Sequence, residues 1–372
     1  MIEEVARLWP VVAVVVWMVT LRVPALGEAV FRWGWVPVAA GMAVQVARRH
    51  VPPGVLRRVG PLLAWWVWAA FTLLWSPDPA AGGWLLAGVG VWWLSLLWAA
   101  TVGELSRRML WWLAVVGVVV AGAATVAVPD PPRVAGLNPD RILAMTVVGL
   151  VVAGWSGTVR RWEAAALTAA GLAVTVGTGS RMASAALVVA LVVSPALRLP
   201  RRGRILVAAL VAAAVLLAAG TVAFQQRWFV SGEGTLAGLV TGETRLDTSG
   251  RAEVWPQIAA ACADPWLGDG AGASSRYGLD VNVGFPEPHD EFLRVWCDTG
   301  VVGVALFAGF VVAVVAGSER SRRSVSAVAL LALAMLALTD NPLTTLGVAV
   351  PLGVVLGGVG SVGTPLRRSV SG

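Results

Sequence analysis

About twelve apolar runs of some 17–25 residues divide this chain, and each is long enough to cross the ~30 Å hydrocarbon core of a bilayer as a helix. They fall near 8–25, 30–47, 59–76, 84–103, 109–128, 141–158, 162–179, 182–198, 204–224, 299–317, 325–342 and 345–362. Inside lipid a backbone must satisfy its own hydrogen bonds, so each run is expected to be helical. Only 13% of the 372 residues are charged and 58% are hydrophobic, against about 25% charged in a soluble domain. The expected fold is all-α: a polytopic integral membrane helical bundle of about twelve transmembrane helices, with one long outer loop containing short helices. Asp340, Asn341 and Pro342 interrupt the last two runs and admit a re-entrant or broken arrangement. The N-terminal MIEEVARLWP has no basic region, and no small-residue cleavage site follows its apolar run, so it reads as an uncleaved first span.

Charge gives the orientation. All 28 basic residues are arginine, and the net charge is +7. Such a balance could suit nucleic acid, but the arginines sit largely in pairs between apolar runs, which is a topological pattern and argues for no nucleic-acid partner. Eighteen of the 28, among them Arg48-Arg49, Arg57-Arg58, Arg107-Arg108, Arg160-Arg161 and Arg201-Arg202, fall on one side. That side is cytoplasmic by the positive-inside rule, with both termini inside. The chain then divides into 1–224 with nine spans, an extracytoplasmic loop at 225–298, and 299–372 with three spans and a cytoplasmic tail. No repeat of 20–50 residues and no low-complexity tract interrupts this plan. Many of the 20 tryptophans lie near span ends, where interfacial anchoring is the default reading.

Ten arginines remain on the outer side, where topology does not ask for them. Arg181, in TGSRMASAALVVALVV at 178–193, stands at the mouth of the eighth span. It either snorkels to headgroups or forms an anion site facing the bundle. Arg251, in TSGRAEVWPQIAAACADPWLGDGAG at 248–272, follows Ser249 and Gly250, either of which can cap a helix ending near Asp264-Pro265. A cation in a first helical turn opposes the helix dipole, unless it and the free N–H groups converge on an anion; the alternative is a solvated surface arginine. The third stretch, PHDEFLRVWCDTGVVG at 288–303, holds one of only two histidines, His289, beside Asp290 and Glu291 and just after Glu287. Pro288 suits the first turn of a short helix ending at Thr299-Gly300. A histidine there feels the helix dipole and the carboxylates in opposite senses and can titrate near neutrality, as a general base requires. The alternative is a structural histidine bonded to a loop carbonyl. The spacing matches no zinc pattern.

Together these motifs resemble the O-antigen ligase and O-antigen polymerase superfamily: GSR at 179–181, SGR…W…DPWLGDGAG at 249–272 and PHDEFLRVWCDTGVVG at 288–303, with weaker likenesses in WSPDP at 75–79 and GLNPDRILA at 136–144. The likeness extends to about twelve spans with the long outer loop before the third-from-last. One departure is His289-Asp290 where the family often has His-Asn. The resemblance implies a metal-independent GT-C-like glycosyltransferase without a cofactor, in the bacterial cytoplasmic membrane, with its active site on the outer face. Its implied donor is a glycan on a polyprenyl (undecaprenyl) diphosphate, and its acceptor a lipid, glycan or protein hydroxyl. Arg181 and Arg251 would bind the donor diphosphate and His289 would be the base, with Asp290, Arg141, Asn138 and Arg276 as secondary candidates. A repeat-unit polymerase of the same superfamily is the nearest alternative, and a twelve-span secondary transporter is the alternative of another class. Cys262 and Cys297, the two cysteines, both fall on the outer side, where an oxidising compartment permits a disulfide; they could equally be two small buried apolar residues.

Overall fold

The computed structural model describes residues 33–49, 51–102, 185–190, 200–203, 229–230, 236–243, 247–248, 250–281, 287–318, 323–338, 341–343 and 353–357, with a few single positions besides. The described residues are mostly helical and contain no strand. The described helices are numbered here α1 (Trp35–Ala47), α2 (Pro53–Thr72), α3 (Pro79–Val102), α4 (Leu236–Thr241), α5 (Arg251–Ala261), α6 (Ala273–Val281), α7 (Glu291–Gly317) and α8 (Arg323–Ala337). Two of them, α3 and α7, are long and apolar enough to cross a membrane. The expected spans at 8–25, 109–128, 141–158, 162–179 and 204–224 lie almost wholly outside the described residues.

The frame is an antiparallel pair. Along α2 and α7 the contacts run in opposite directions. The Trp68 indole donates to the Thr299 carbonyl (2.9 Å), Trp65 stacks edge-on against Phe307 (5.7 Å between ring centres), and Gly317 lies against the stem of Arg58. Gly303, Gly309 and Gly317 on α7 meet Trp65, Pro61 and Arg58 on α2. Small residues on one helix against bulky ones on the other let apolar helices approach closely. Helix α3 completes the core, with Trp65, Trp92 and Trp98 fully buried among the three helices and α1. These three tryptophans are core residues rather than interfacial anchors. Trp98 satisfies its N–H on Gln45 of α1 at 2.8 Å.

The outward faces of these helices stay apolar. Leu56, Leu63, Val67 and Phe71 on α2 and Val301, Val304 and Val312 on α7 are exposed. On α7, of mean hydropathy 2.5, only 22% of the most apolar stretch is buried. A helix this apolar and this unburied is suited to lipid rather than water.

The two ends of the frame differ in character. At one end Arg49 donates to the Thr101 carbonyl (3.0 Å), Arg58 packs on Gly317, and Arg323 donates to the Ser318 carbonyl (3.3 Å). At the other end stand the Trp75–Pro79 turn, the 262–272 loop and the start of α7. The basic pairs and the motif-bearing loops are thus separated by the length of the helices. Helix α2 begins at Pro53, six residues before the apolar run suggested, because Pro52-Pro53 suits a helix start and the arginine-bearing first turn needs no lipid.

Helix α7 is bent at Gly300, with φ 63° and ψ −170° inside an otherwise helical segment. Its first ten residues belong to the motif end, and the remainder is the apolar span. Only glycine occupies that backbone region readily. A Cβ there would also collide with the Trp266 carbonyl and the Gly268 nitrogen. Gly300→Ala should cost about 2–3 kcal/mol or more, from strain plus displacement of the 265–268 turn. Thermal denaturation in detergent checks this; an unchanged melting temperature would mean that the bend relaxes without cost.

Candidate functional site

The site is built on one charged helix face. Glu291, Arg294 and Asp298 lie three and four apart at the start of α7, so they share a face, and all three are buried, at 3%, 2% and 0% exposure. Arg294 pairs with Glu291 (3.2 Å) and with Glu287 from the preceding turn. Asp298 accepts hydrogen bonds from the backbone N–H groups of Gly272 (2.9 Å) and Ser274 (2.8 Å). A buried cation of this kind is tolerable only because carboxylates surround it. Sequence reading placed Arg294 merely among the outer arginines; its i, i+3 and i, i+4 carboxylates were the available signal.

The Asp264–Gly272 loop is held against this face from two sides. Its backbone joins α7 through Asp269 N–H to the Cys297 carbonyl (2.8 Å) and Val301 N–H to the Pro265 carbonyl (2.9 Å). From the other side come residues of the WSPDP turn and the end of α2. Trp75 donates to the Gly268 carbonyl (2.9 Å), Ser76 donates to the Ala271 carbonyl (2.6 Å), and Thr72 accepts from the Ala271 N–H (3.0 Å). Asp78 meanwhile caps α3 through the Ala81 N–H at 3.0 Å. Gly272 has φ 98° and abuts the Asp78 carbonyl, so neither its conformation nor its space admits a side chain. The two motifs, about 195 residues apart, form one packed unit.

Helix α5 is fastened to the same unit at two points. The Trp255 indole donates to the Pro288 carbonyl at 2.7 Å. Two turns later Cys262 is joined to Cys297 by a disulfide, with Cα atoms 5.4 Å apart. Arg251 lies one turn before Trp255 on the same face, about 6 Å along the axis. It is therefore on the side of α5 that meets the His289 turn. The N-cap is Gly250, one of the two expected, with φ 80° and no capping side chain, while the Thr248 hydroxyl accepts from the Ala252 N–H (3.2 Å). The Arg251 guanidinium donates to the Thr248 carbonyl (3.2 Å), and α5 ends at Ala261 because the chain turns into the disulfide.

His289 also stands differently from expectation. Helix α7 starts at Glu291 with Asp290 as its N-cap, so Pro288 and His289 precede the helix rather than forming its first turn. The Asp290 carboxylate accepts from the N–H groups of Phe292 (2.9 Å) and Leu293 (3.1 Å), a geometry that forces the chain out of helical conformation just before it. Burial pushes the Asp290 carboxyl up, against the lowering effect of those two N–H donors. His289 has φ 51°, the one non-glycine residue with positive φ among those described. Such backbone is uncommon for a non-glycine residue and clusters at functional sites.

The three neighbouring carboxylates, among them the secondary candidate Asp290, are thus engaged as a helix cap and as Arg294 partners. Instead His289 Nδ1 lies 3.2 Å from the side-chain amide nitrogen of Asn341, 52 residues on. Asn341 was read only as part of a helix break. The signal that could have singled it out was a buried amide inside an apolar run, which in a membrane protein is a functional candidate by default.

Arg276 forms an exposed i, i+4 pair with Asp280 at 3.1 Å, the arrangement of an ordinary solvated helix pair. Arg181, Asn138 and Arg141 lie outside the described residues. Beside the loop, a groove of about 420 Å³ is lined by Trp75, Leu267, Asp269 and Tyr277 among others. Its polar atoms are turned inward: Tyr277 donates to Asp269 (2.8 Å), which also accepts from the N–H groups of Ala263 and Asp264 (both 2.8 Å). Burial, then the bond to Asp269, push the Tyr277 phenol up to about 12. Among the described residues no group of three or more His, Cys, Asp or Glu side chains is arranged to hold a metal ion.

Residues 164–308 match the family model described as O-antigen ligase. The match spans 145 of the 372 residues and supports membership of the O-antigen ligase superfamily. The matched segment contains Arg181, Arg251 and His289 and ends within α7, so the WSPDP turn and Asn341 join the O-antigen ligase domain from outside it. No curated protein matches the chain. The superfamily consists of membrane proteins of glycosyltransferase-like activity, which fits the apolar, lipid-suited faces of α2 and α7.

Proposed function

We propose that this chain transfers a glycan from a polyprenyl-diphosphate carrier to an acceptor hydroxyl at the outer face of the cytoplasmic membrane. The observation that carries this reading is the fastening of α5 to the His289 turn. Two bonds tie the helix that begins at Arg251 to the segment that carries His289, which supports reading the two residues as parts of one site. A lipid diphosphate is an anion held at membrane depth, and guanidinium groups bind phosphate oxygens in pairs. Arg251, with Arg181, would stabilise the negative charge that gathers on the diphosphate as it leaves. The acceptor oxygen attacks the anomeric carbon and gives its proton to His289. The bond from that carbon to the diphosphate oxygen breaks, and the electron pair leaves with the diphosphate. Attack opposite the leaving group inverts the anomeric centre.

The test is purified protein in liposomes with a polyprenyl-diphosphate glycan and candidate acceptors, with products followed by gel and mass analysis. Transfer to a lipid acceptor marks a ligase, and extension of the donor glycan marks a polymerase. Movement of glycan across the bilayer without transfer would overturn the reading in favour of transport.

The orientation carries its own prediction. Residues 225–298 should face outward and Arg201-Arg202 the cytoplasm. Since Cys262 and Cys297 are joined to each other, Ser231→Cys and Gly203→Cys can be labelled in the native background. An impermeant outside reagent should label Ser231→Cys alone; labelling of Gly203→Cys alone would invert the orientation and remove the outer active site.

A further inference from the structure

The segment carrying Asn341 is anchored where it meets the His289 turn. The backbone N–H of Leu343 donates to the Glu291 carboxylate at 3.1 Å, and Glu291 is itself held by Arg294. Asn341 is 6% exposed. Pro342 between them cannot continue a helical hydrogen-bond ladder, so the chain turns here instead of running on as a span. On the other side the imidazole is placed by a left-handed backbone turn whose carbonyl neighbour is pinned by Trp255. Both partners of the His289–Asn341 contact are thus fixed by bonds of their own.

An amide beside Nδ1 selects a tautomer. If its NH2 group donates, the ring proton sits on Nε2 and that nitrogen has no lone pair to offer. If its oxygen accepts, the ring proton sits on Nδ1 and Nε2 is a base. The two amide orientations differ by half a turn about the last side-chain bond and occupy the same space. We propose that Asn341 is the positioning residue for His289: its amide oxygen accepts from Nδ1–H, which leaves the Nε2 lone pair available to take the acceptor proton. This rests on the reading of His289 as the base. It also means that the base is oriented by a residue beyond the matched family segment, on the chain that follows α8.

Since the chain has only two histidines, His50→Gln leaves one, and selective 15N-histidine labelling in micelles then reports the His289 tautomer directly. The neutral ring should carry its proton on Nδ1 in the otherwise wild-type protein. Asn341→Asp, which can only accept from Nδ1–H, should keep that tautomer and most of the transfer activity. Asn341→Leu should return the ring to the Nε2–H form and lower kcat about 10- to 100-fold, with KM for the lipid-linked donor unchanged. An Nε2–H ring in the wild type, or a tautomer indifferent to Asn341→Leu, overturns the proposal. Should Asn341→Leu not fold, the wild-type tautomer and the activity of Asn341→Asp decide it, and an inactive, folded Asn341→Asp counts against. Full turnover in His289→Ala, together with the expected tautomer shift in Asn341→Leu, would instead remove His289 as the base and leave the contact standing.

Discussion

His289→Ala should leave the protein folded and the donor bound, while glycan transfer falls about 10²-fold or more, the usual scale for losing a general base. Folding is expected to survive because the turn is also built by bonds of its neighbours. Asp290 caps α7, Glu287 and Glu291 hold Arg294, and the Trp255 indole takes the Pro288 carbonyl. Alanine at a left-handed position adds some strain, which a melting curve will register separately from activity. His289→Gln keeps a hydrogen-bonding side chain but accepts no proton at neutral pH, so it should fare little better. Asp290→Asn should be tolerated, since asparagine caps a helix about as well as aspartate. The measurement is initial transfer rate in liposomes with donor binding assayed in parallel. Wild-type turnover in His289→Gln would make the imidazole a structural hydrogen-bonder and move the search for the base to Asp290 or Glu287.

Arg251→Ala and Arg181→Ala should each abolish most transfer, and here donor affinity should fall with it. Arg251 stands in the first turn of α5, where its charge opposes the helix dipole, so its removal should not lower helix stability. Loss of activity without loss of stability is the signature of a residue retained for its ligand. Lysine at either position should rescue poorly, because an ammonium lacks the planar fork that engages two phosphate oxygens. Competition by a polyprenyl diphosphate without glycan gives the affinity directly. Near-normal transfer in both alanine variants, at normal expression, would return Arg251 to a surface charge and Arg181 to a headgroup contact.

Much of this was legible in the chain because lipid imposes simple rules. Apolar length marked 84–103 and 299–317 as spans, and α3 and α7 there are the two helices among the described residues long and apolar enough to cross a membrane. Glycine and threonine at 299–300 marked a break, and the bend of α7 falls at Gly300. His289 and Arg251 were nameable because each is a polar group that topology and solubility leave unexplained, and the family match includes both.

Other features needed the tertiary structure, for a common reason. The partner of a side chain across a packed interface has no fixed sequence spacing. WSPDP meets the 268–271 backbone about 195 residues away, and Asn341 meets His289 across 52. The charged face of α7 could be counted from sequence, but whether Arg294 faced water or the interior depended on what packed over it, and it is buried. The sequence by itself determined the membrane class and the apolar helices and singled out His289 and Arg251 as candidates, since hydrophobic length and charge placement are local properties. Only the tertiary structure decided that the carboxylates beside His289 build its turn while a distant amide meets its ring, because that depends on which groups find hydrogen-bond partners once the helices close together.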